Sequence, residues 1–195
     1  MWIAYVHGFL SGPNAVKSHA LKAYIDEHES DLHFWALDFP DTPQEALASL
    51  QEQLSAWKKE HPHEKICLVG SSMGGFFSTL LSAQFACKAA LLNPCTHPQE
   101  YFEALCGPYV NPLTERHFTL TPEMLPFLEP LDRATVIRPE LLQVYLGGKD
   151  RTLDYRKSLL RYNNCDIRFY KDEDHAFTHN FAALIPHIIA FAREI

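Results

Sequence analysis

Short apolar runs alternate with longer segments of helical periodicity along the whole chain. The apolar runs have the length of strands, and the run at residues 66–69 lacks the polar alternation of a half-exposed strand, which is typical of parallel strands covered on both faces. They occupy residues 2–6, 33–37, 66–69, 88–92, 141–146 and 166–170. Helical segments occupy residues 15–28, 43–60, 154–162 and 181–194 and the apolar stretch after residue 72, with Asn14 as a candidate N-cap of the first. This alternation predicts an α/β fold with a parallel sheet and right-handed crossovers.

One long stretch, residues 95–139, does not follow the alternation. It carries seven of the thirteen prolines and several aromatic side chains, and it has little regular pattern. An insertion of this length is typical of a lid or a pocket wall. An irregular segment that packs its aromatic residues into the core is an equally good interpretation, and the sequence leaves both open.

The third predicted strand runs directly into the sequence GSSMGG, which contains a G-x-S-x-G pattern centred on Ser72. A serine on a sharp strand-to-helix turn needs small neighbours, because its backbone is strained and its flanks are crowded. The N-terminus of the following helix then offers N–H groups to a developing negative charge. Ser72 is therefore a candidate nucleophile, and a glycine-rich turn without catalytic function is the alternative.

A serine nucleophile needs a base and a carboxylate that orients the base. In the G-x-S-x-G class the order along the chain is Ser, then Asp or Glu, then His. Asp150 follows the fifth predicted strand and His175 follows the sixth, so both satisfy this order. Asp154, at the start of the next helix, and His179 are the rival assignments. The spacing of His175 and His179 also suits a metal pair, but no H-E-x-x-H glutamate or third ligand accompanies them, so no metal is predicted.

The composition is that of an ordinary globular protein, with 195 residues, 47% hydrophobic and 21% charged. The net charge of −7 argues against nucleic acid or an anionic membrane as a partner. We expect no membrane span and no signal peptide, because no apolar run has the required length. The five cysteines show no C-x-x-C spacing and are typical of core residues in a reducing cytosol, so a cytoplasmic protein is expected.

Several of these motifs resemble those of the α/β-hydrolases, and more narrowly those of the small bacterial YqiA-like esterases. The shared motifs are HGF after the first strand, VGSSMGGFFSTLLS, NP after the fourth strand, GGKDRTLDY and DHAFTHNF. The resemblance implies one α/β-hydrolase domain over residues 1–195, with six parallel strands in the order 2-1-3-4-5-6. It also implies a Ser72–His175–Asp150 triad, an oxyanion hole formed by the amides of Phe9 and Met73, and no cofactor.

The resulting hypothesis is a serine esterase that hydrolyses short- to medium-chain acyl esters through an acyl-enzyme. A thioesterase or peptidase with the same triad is the alternative, and a non-catalytic interaction protein of the same fold is another. The expected partner is a small acyl ester or thioester. Because ligand sites are mostly apolar, the acyl chain is expected to contact five residues of the insertion, Phe102, Tyr109, Phe118, Met124 and Phe127.

The run Asp172-Glu173-Asp174 departs from the resemblance, since relatives have small residues before the histidine. Carboxylates close to His175 would favour its charged form and raise the pKa of its imidazole. We therefore expect the acidic limb of the pH–activity profile to lie above the reference pKa of histidine.

Overall fold

In the computed structural model, which describes residues 1–194, a central sheet carries helices on both faces. Ile195, the last residue of the predicted domain, lies outside the described residues. The strands are β1 (Trp2–Val6), β2 (His33–Ala36), β3 (Ile66–Ser71), β4 (Lys88–Leu92), β5 (Gly107–Val110), β6 (His117–Leu120), β7 (Leu142–Gly147) and β8 (Asp166–Tyr170). All except β5 and β6 form one parallel sheet in the order β2-β1-β3-β4-β7-β8. The predicted strand order and direction are confirmed.

Within residues 1–194 the chain forms seven α-helices. They are α1 (Val16–His28), α2 (Pro43–Glu60), α3 (Met73–Phe85), α4 (Gln99–Phe102), α5 (Leu128–Ala134), α6 (Tyr155–Arg161) and α7 (Phe181–Arg193). The first and last of these helices pack in one core layer, and α2 and α3 pack in the other.

Alternate side chains of each central strand enter these two separate layers. On β1, Ala4 and Val6 belong to the layer of α2 and α3, whereas Ile3 and Tyr5 belong to the layer of α1 and α7. All six residues of β3 are buried. Coverage on both faces explains why the strands read as continuous apolar runs in the sequence.

The start of α1 differs from the prediction. Asn14 was expected to cap this helix, but Ala15 is the residue that precedes it and no side chain caps it. The Ala15 amide donates to the carbonyl oxygen of Gly12 at 3.1 Å, so Asn14 lies inside a tight turn and is exposed. The predicted cap was therefore wrong because a backbone turn, rather than a side chain, leads into the helix.

The insertion between β4 and β7 is more regular than the sequence pattern indicated. It contains α4, the antiparallel hairpin of β5 and β6, and α5. Each hairpin strand is only four residues long, which is too short to produce a clear period of two in the sequence. At the hairpin tip, Asn111 Nδ2 donates to the Ser11 carbonyl at 2.7 Å and Arg116 Nη1 donates to the Phe39 carbonyl at 2.7 Å. The hairpin is thereby attached to the loops that follow β1 and β2.

Candidate active site

Ser72 lies on a sharp turn between β3 and α3, with φ of 56° and ψ of −118°. This strained conformation is the one expected for a nucleophile elbow. The flanking glycines are required by close packing. A Cβ on Gly70 would lie 2.5 Å from the Gly74 carbonyl oxygen, and a Cβ on Gly74 would collide with the carbonyl oxygens of Val6 and His7. The elbow is therefore packed tightly against the end of β1.

The backbone of Ser72 is held by the strand end beside it. The Ser72 amide donates to the Leu92 carbonyl at 3.0 Å, and the Ser72 carbonyl accepts from the Cys95 amide at 2.9 Å. The Ser72 carbonyl also accepts from the Gly75 amide at 2.9 Å. These bonds fix the strained turn between β4 and the first turn of α3.

His175 and Asp150 are in direct contact. His175 Nδ1 lies 2.7 Å from Asp150 Oδ2, and the side chain of Asp150 is 1% exposed while that of His175 is 28% exposed. The other carboxylate oxygen, Oδ1, accepts from the amides of Thr152 at 2.8 Å and Leu153 at 2.9 Å. Because a carboxylate accepts, Nδ1 carries the ring proton and Nε2 keeps its lone pair.

The structure brings Asp150 and His175 together at the strand ends next to the elbow. Within residues 1–194, no hydrogen bond joins the Ser72 hydroxyl to the His175 ring. The two rival residues, Asp154 and His179, have other surroundings. Asp154 caps α6, where its side chain accepts from the Arg156 amide, and the His179 side chain is 71% exposed.

Each acid that precedes His175 has a partner of its own. Asp172 pairs with Lys149 Nζ at 2.9 Å. The Glu173 side chain is 1% exposed and accepts from Asn180 Nδ2 at 2.5 Å. Asp174 accepts from the amide and the hydroxyl of Thr178 at 3.0 and 2.7 Å, and these bonds hold the pKa of Asp174 below its usual value. The effect of these acids on His175 stays a prediction.

The loop after β1 packs directly on the elbow. A Cβ on Gly8 would lie 3.2 Å from the Cβ of Ser72 and 3.8 Å from its hydroxyl oxygen. The neighbouring His7 ring is 2% exposed, donates from Nδ1 to the Gly8 carbonyl at 2.9 Å and stacks on Phe39 at a centroid distance of 3.9 Å. Burial lowers the pKa of His7, so a neutral ring supports the loop that carries Phe9.

Three of the five predicted substrate residues surround Phe9. The ring of Phe9 meets those of Phe102, Tyr109 and Phe118 edge-on, at centroid distances of 5.1, 5.4 and 5.8 Å. Phe127 lies apart from this cluster, in a surface groove against α2. Met124 is half-buried against the core. We call Phe9, Phe102, Tyr109 and Phe118 the aromatic wall.

A second histidine–aspartate pair has no counterpart in the sequence prediction. His97 Nδ1 lies 2.5 Å from Asp132 Oδ2, and Arg161 Nη2 lies 3.5 Å from the other oxygen of the same carboxylate. This pair joins the loop after β4 to α5 and α6.

Asn93 is a second residue for which the sequence analysis predicted no function, although it lies in the NP motif. A left-handed φ of 40° at that position is visible only in the structure.

Two buried cysteines, Cys87 and Cys95, lack the character of a nucleophile. Burial raises the pKa of Cys95, next to the elbow, to about 12, and that of Cys87 to about 12. Thiols with such values are protonated at neutral pH and react slowly. Over residues 1–194, no three or more metal-binding side chains cluster in a way that would hold an ion.

None of the helices in the described part of the chain, residues 1–194, is both long and apolar enough to cross a bilayer. Hydrolases and esterases are among the solved structures similar to this chain. Est1E from Butyrivibrio proteoclasticus, with ferulic acid bound, has a TM-score of 0.69 at 15% identity, over 97% of this chain and 87% of its own. A structure from the work on LipS and LipT, two metagenome-derived lipolytic enzymes, has a TM-score of 0.68 at 16% identity, over 98% of this chain and 93% of its own.

A hydrolase of the alpha/beta superfamily from Xanthomonas campestris has a TM-score of 0.62 at 15% identity and covers 100% of this chain and 99% of its own. Identities this low establish the fold alone. Together with the elbow and the six-stranded parallel sheet, they define the molecule as an α/β-hydrolase-fold protein. The sequence profile of the uncharacterised protein family UPF0227 matches residues 2–193. The chain therefore belongs to this YqiA-like family, as its motifs predicted.

Proposed function

We propose that the protein is a serine hydrolase that cleaves short- to medium-chain acyl esters, with Ser72 as nucleophile, His175 as base and Asp150 as the orienting carboxylate. The observation that carries this proposal is the 2.7 Å contact between His175 and the buried Asp150 beside a serine whose φ is 56°. A buried carboxylate bound to one histidine nitrogen leaves the other nitrogen free to accept a proton.

In the proposed reaction, Nε2 of His175 takes the proton of the Ser72 hydroxyl as its oxygen attacks the acyl carbonyl carbon. The amides of Phe9 and Met73 stabilise the negative oxygen of the tetrahedral intermediate. Its collapse breaks the bond to the leaving group, which takes the proton from His175. Water then loses a proton to His175 as it attacks the acyl-enzyme. Collapse of the second tetrahedral intermediate breaks the bond between the acyl carbon and the Ser72 oxygen, His175 returns the proton to that oxygen, and the acid is released. Asp150 stabilises the imidazolium at each stage.

The missing hydrogen bond between Ser72 and His175 is compatible with this role. Catalytic hydrogen bonds are often long or poorly aligned in the absence of substrate and tighten in the reactive complex. Ser72 and His175 are both bonded to residues 92–95, through Leu92 and Cys95 in one case and Asn93 in the other, which supports their closeness.

The aromatic wall is the proposed contact for the acyl chain. The amide of Phe9 would bind the oxyanion while its ring contacts Phe102, Tyr109 and Phe118. Between this loop and α2 the remaining cavity is about 10 Å³, room for a single water. A cavity of this size cannot hold an acyl chain, so in this proposal the short or medium chain lies along the half-buried rings of Phe9, Tyr109 and Phe118.

An oxygen ester is favoured over a thioester because the solved structures with this fold include esterases and lipolytic enzymes. Thioester cleavage on the same residues is the alternative for the leaving group. We place the protein in the cytoplasm, since all five cysteines are free thiols. Residues 1–195 would act as one domain in which the insertion forms a fixed pocket wall.

The test is ester hydrolysis by Ser72→Ala across a panel of p-nitrophenyl esters and acyl-CoA thioesters. Removal of the nucleophile should lower kcat by about 10⁶-fold without changing the melting temperature. Ser55→Ala, at an exposed serine of α2, is the matched control. Turnover of Ser72→Ala at the wild-type rate would refute the mechanism, and a wild-type protein inactive on the whole panel would favour the non-catalytic interaction protein.

A further inference from the structure

Asn93 follows directly after β4, between the strands that lead to Ser72 and to Asp150. Asn93 is 2% exposed, so its side chain is buried. Its φ of 40° lies in the left-handed region, which asparagine adopts more readily than other residues with a side chain. The sequence therefore places a buried amide at the point where the strand ends of the site meet.

The amide of Asn93 is bonded to two further segments of the chain. Nδ2 donates to the carbonyl oxygens of Asp174 at 3.0 Å and His175 at 3.1 Å. Oδ1 accepts from the Gly147 amide at 2.7 Å. Only one orientation of the amide satisfies these partners, because carbonyls accept and a backbone N–H donates. The side chain thus ties the backbone of His175 to the end of β7, just before Asp150.

The same segment also holds the nucleophile. Leu92 accepts from the Ser72 amide at 3.0 Å, and the Cys95 amide donates to the Ser72 carbonyl at 2.9 Å. Residues 92–95 are consequently bonded to the backbone of Ser72 by their main chain and to the backbone of His175 by the Asn93 side chain. One short segment therefore sets the separation of the two residues.

We propose that Asn93 is a positioning residue of the hydrolase, whose amide holds the His175 ring in line with Ser72 and Asp150. This inference rests on the proposed function. Asn93 is buried beneath the strand ends and is bonded to backbone rather than to the aromatic wall. Its loss should therefore reduce kcat and leave KM near the wild-type value. Misplacing a catalytic group by about 1 Å costs about 100-fold in rate.

Two substitutions separate the amide from the backbone conformation. Asn93→Gly keeps the left-handed backbone and removes all three side-chain bonds. Asn93→Asp keeps the shape and the bond to Gly147 but turns a carboxylate towards two carbonyl oxygens. We expect kcat to fall about 10- to 100-fold in both, with the larger loss in Asn93→Asp. Ala86→Gly is the control, because Ala86 has a φ of 50° and is exposed at the far end of α3.

A second readout does not depend on turnover. The chemical shift of the His175 Cε1 proton should change in both Asn93 variants and stay at the wild-type value in Ala86→Gly. This signal tests the position of the ring even if the wild-type protein hydrolyses no ester, in which case only the proposed function fails. An unchanged shift, or kcat within about twofold of wild type, would overturn the inference. Failure of both variants to fold would also overturn it, since Asn93 would then support the whole fold rather than the ring.

Discussion

Two histidine–aspartate pairs in this molecule have nearly the same local geometry. His175 contacts Asp150 at 2.7 Å, and His97 contacts Asp132 at 2.5 Å, in both cases through Nδ1 and Oδ2. The carboxylate is buried in each pair, with side-chain exposures of 1% and 4%, and the histidine is partly exposed, at 28% and 35%. Distance and burial alone therefore do not separate the proposed catalytic pair from the other pair.

The remaining partners of each carboxylate separate the two pairs. Arg161 lies 3.5 Å from Asp132 and also donates to its backbone carbonyl at 2.6 Å, so a cation from α6 compensates the charge. In the part of the chain that the structure describes, no lysine or arginine lies within salt-bridge distance of Asp150. Its charge is directed at His175, next to the elbow. The remaining partners of the carboxylate, rather than its distance to the histidine or its burial, therefore distinguish the two pairs.

The largest expected difference between the pairs is in turnover. Asp150→Asn can keep the bonds from Thr152 and Leu153 to its oxygen, but its NH₂ group would then face His175 Nδ1 and favour the wrong ring tautomer. We expect kcat to fall by about 10⁴-fold. Asp132→Asn, measured with the same ester, should turn over at close to the wild-type rate. Equal losses of kcat in the two variants would show that the two pairs do not differ in function.

The next largest difference is in stability, where Asp132→Asn should lose more than Asp150→Asn. Asp132→Asn removes a buried charge that is bonded to His97 and Arg161, and a hydrogen bond to a charged group contributes about 1–3 kcal/mol. The free energy of unfolding should fall by about that amount, which lowers the melting temperature by several degrees. Asp150→Asn should lose less, because it has no arginine partner and its bonds from Thr152 and Leu153 can remain. Urea titrations of both variants measure this ranking, and the reverse ranking would contradict it.

A smaller effect distinguishes two aromatic residues of the insertion in the same way. Phe118 contacts Phe9, whereas Phe127 lies in the groove against α2. Phe118→Ala should shift the preferred acyl length towards longer esters, with changes of a few-fold in kcat/KM per methylene, since each methylene contributes about 0.8 kcal/mol. Phe127→Ala should leave the preference unchanged. If both variants lost stability and neither shifted the preference, the core-packing interpretation of the insertion would be correct.

The smallest effect concerns His7, which bonds a carbonyl instead of a carboxylate. Burial holds the pKa of His7 below its ordinary value of 6.5, so below that pH the unfolded chain binds a proton that the folded chain does not. His7 therefore contributes full stability above about pH 6.5 and loses it as the pH falls. The drop in unfolding free energy between about pH 7.5 and 5.5 should be smaller in His7→Gln than in wild type. An identical drop in both would mean that folding does not lower the pKa of His7.

The sequence predicted the fold because both faces of its sheet are covered. Continuous apolar runs such as that of β3 mark parallel strands, and glycines at residues 70 and 74 mark a crowded strand-to-helix turn. The regular structure of the insertion was not predicted, and the reason is physical. Its hairpin strands are short and its prolines conceal their period, while its attachments through Asn111 and Arg116 join residues far apart in the chain.

The residues of the candidate site also differ in whether the sequence predicts them. Ser72, Asp150 and His175 follow strand ends in a fixed order, so motif and topology predict them. Asn93 bonds the backbone of residues far away in the chain through its side-chain amide, and such contacts leave no local pattern in one sequence. They are visible only in the structure, together with the left-handed φ of Asn93.

The most direct test of the account is labelling with a fluorophosphonate, which reacts with an activated serine hydroxyl. Wild-type protein is incubated with the probe, digested and analysed by mass spectrometry, beside His175→Ala and the control His179→Ala. We predict a single adduct on Ser72 in wild type and His179→Ala, and its loss in His175→Ala. No adduct in wild type, an adduct on another residue, or undiminished labelling of His175→Ala would contradict the claim that His175 activates Ser72.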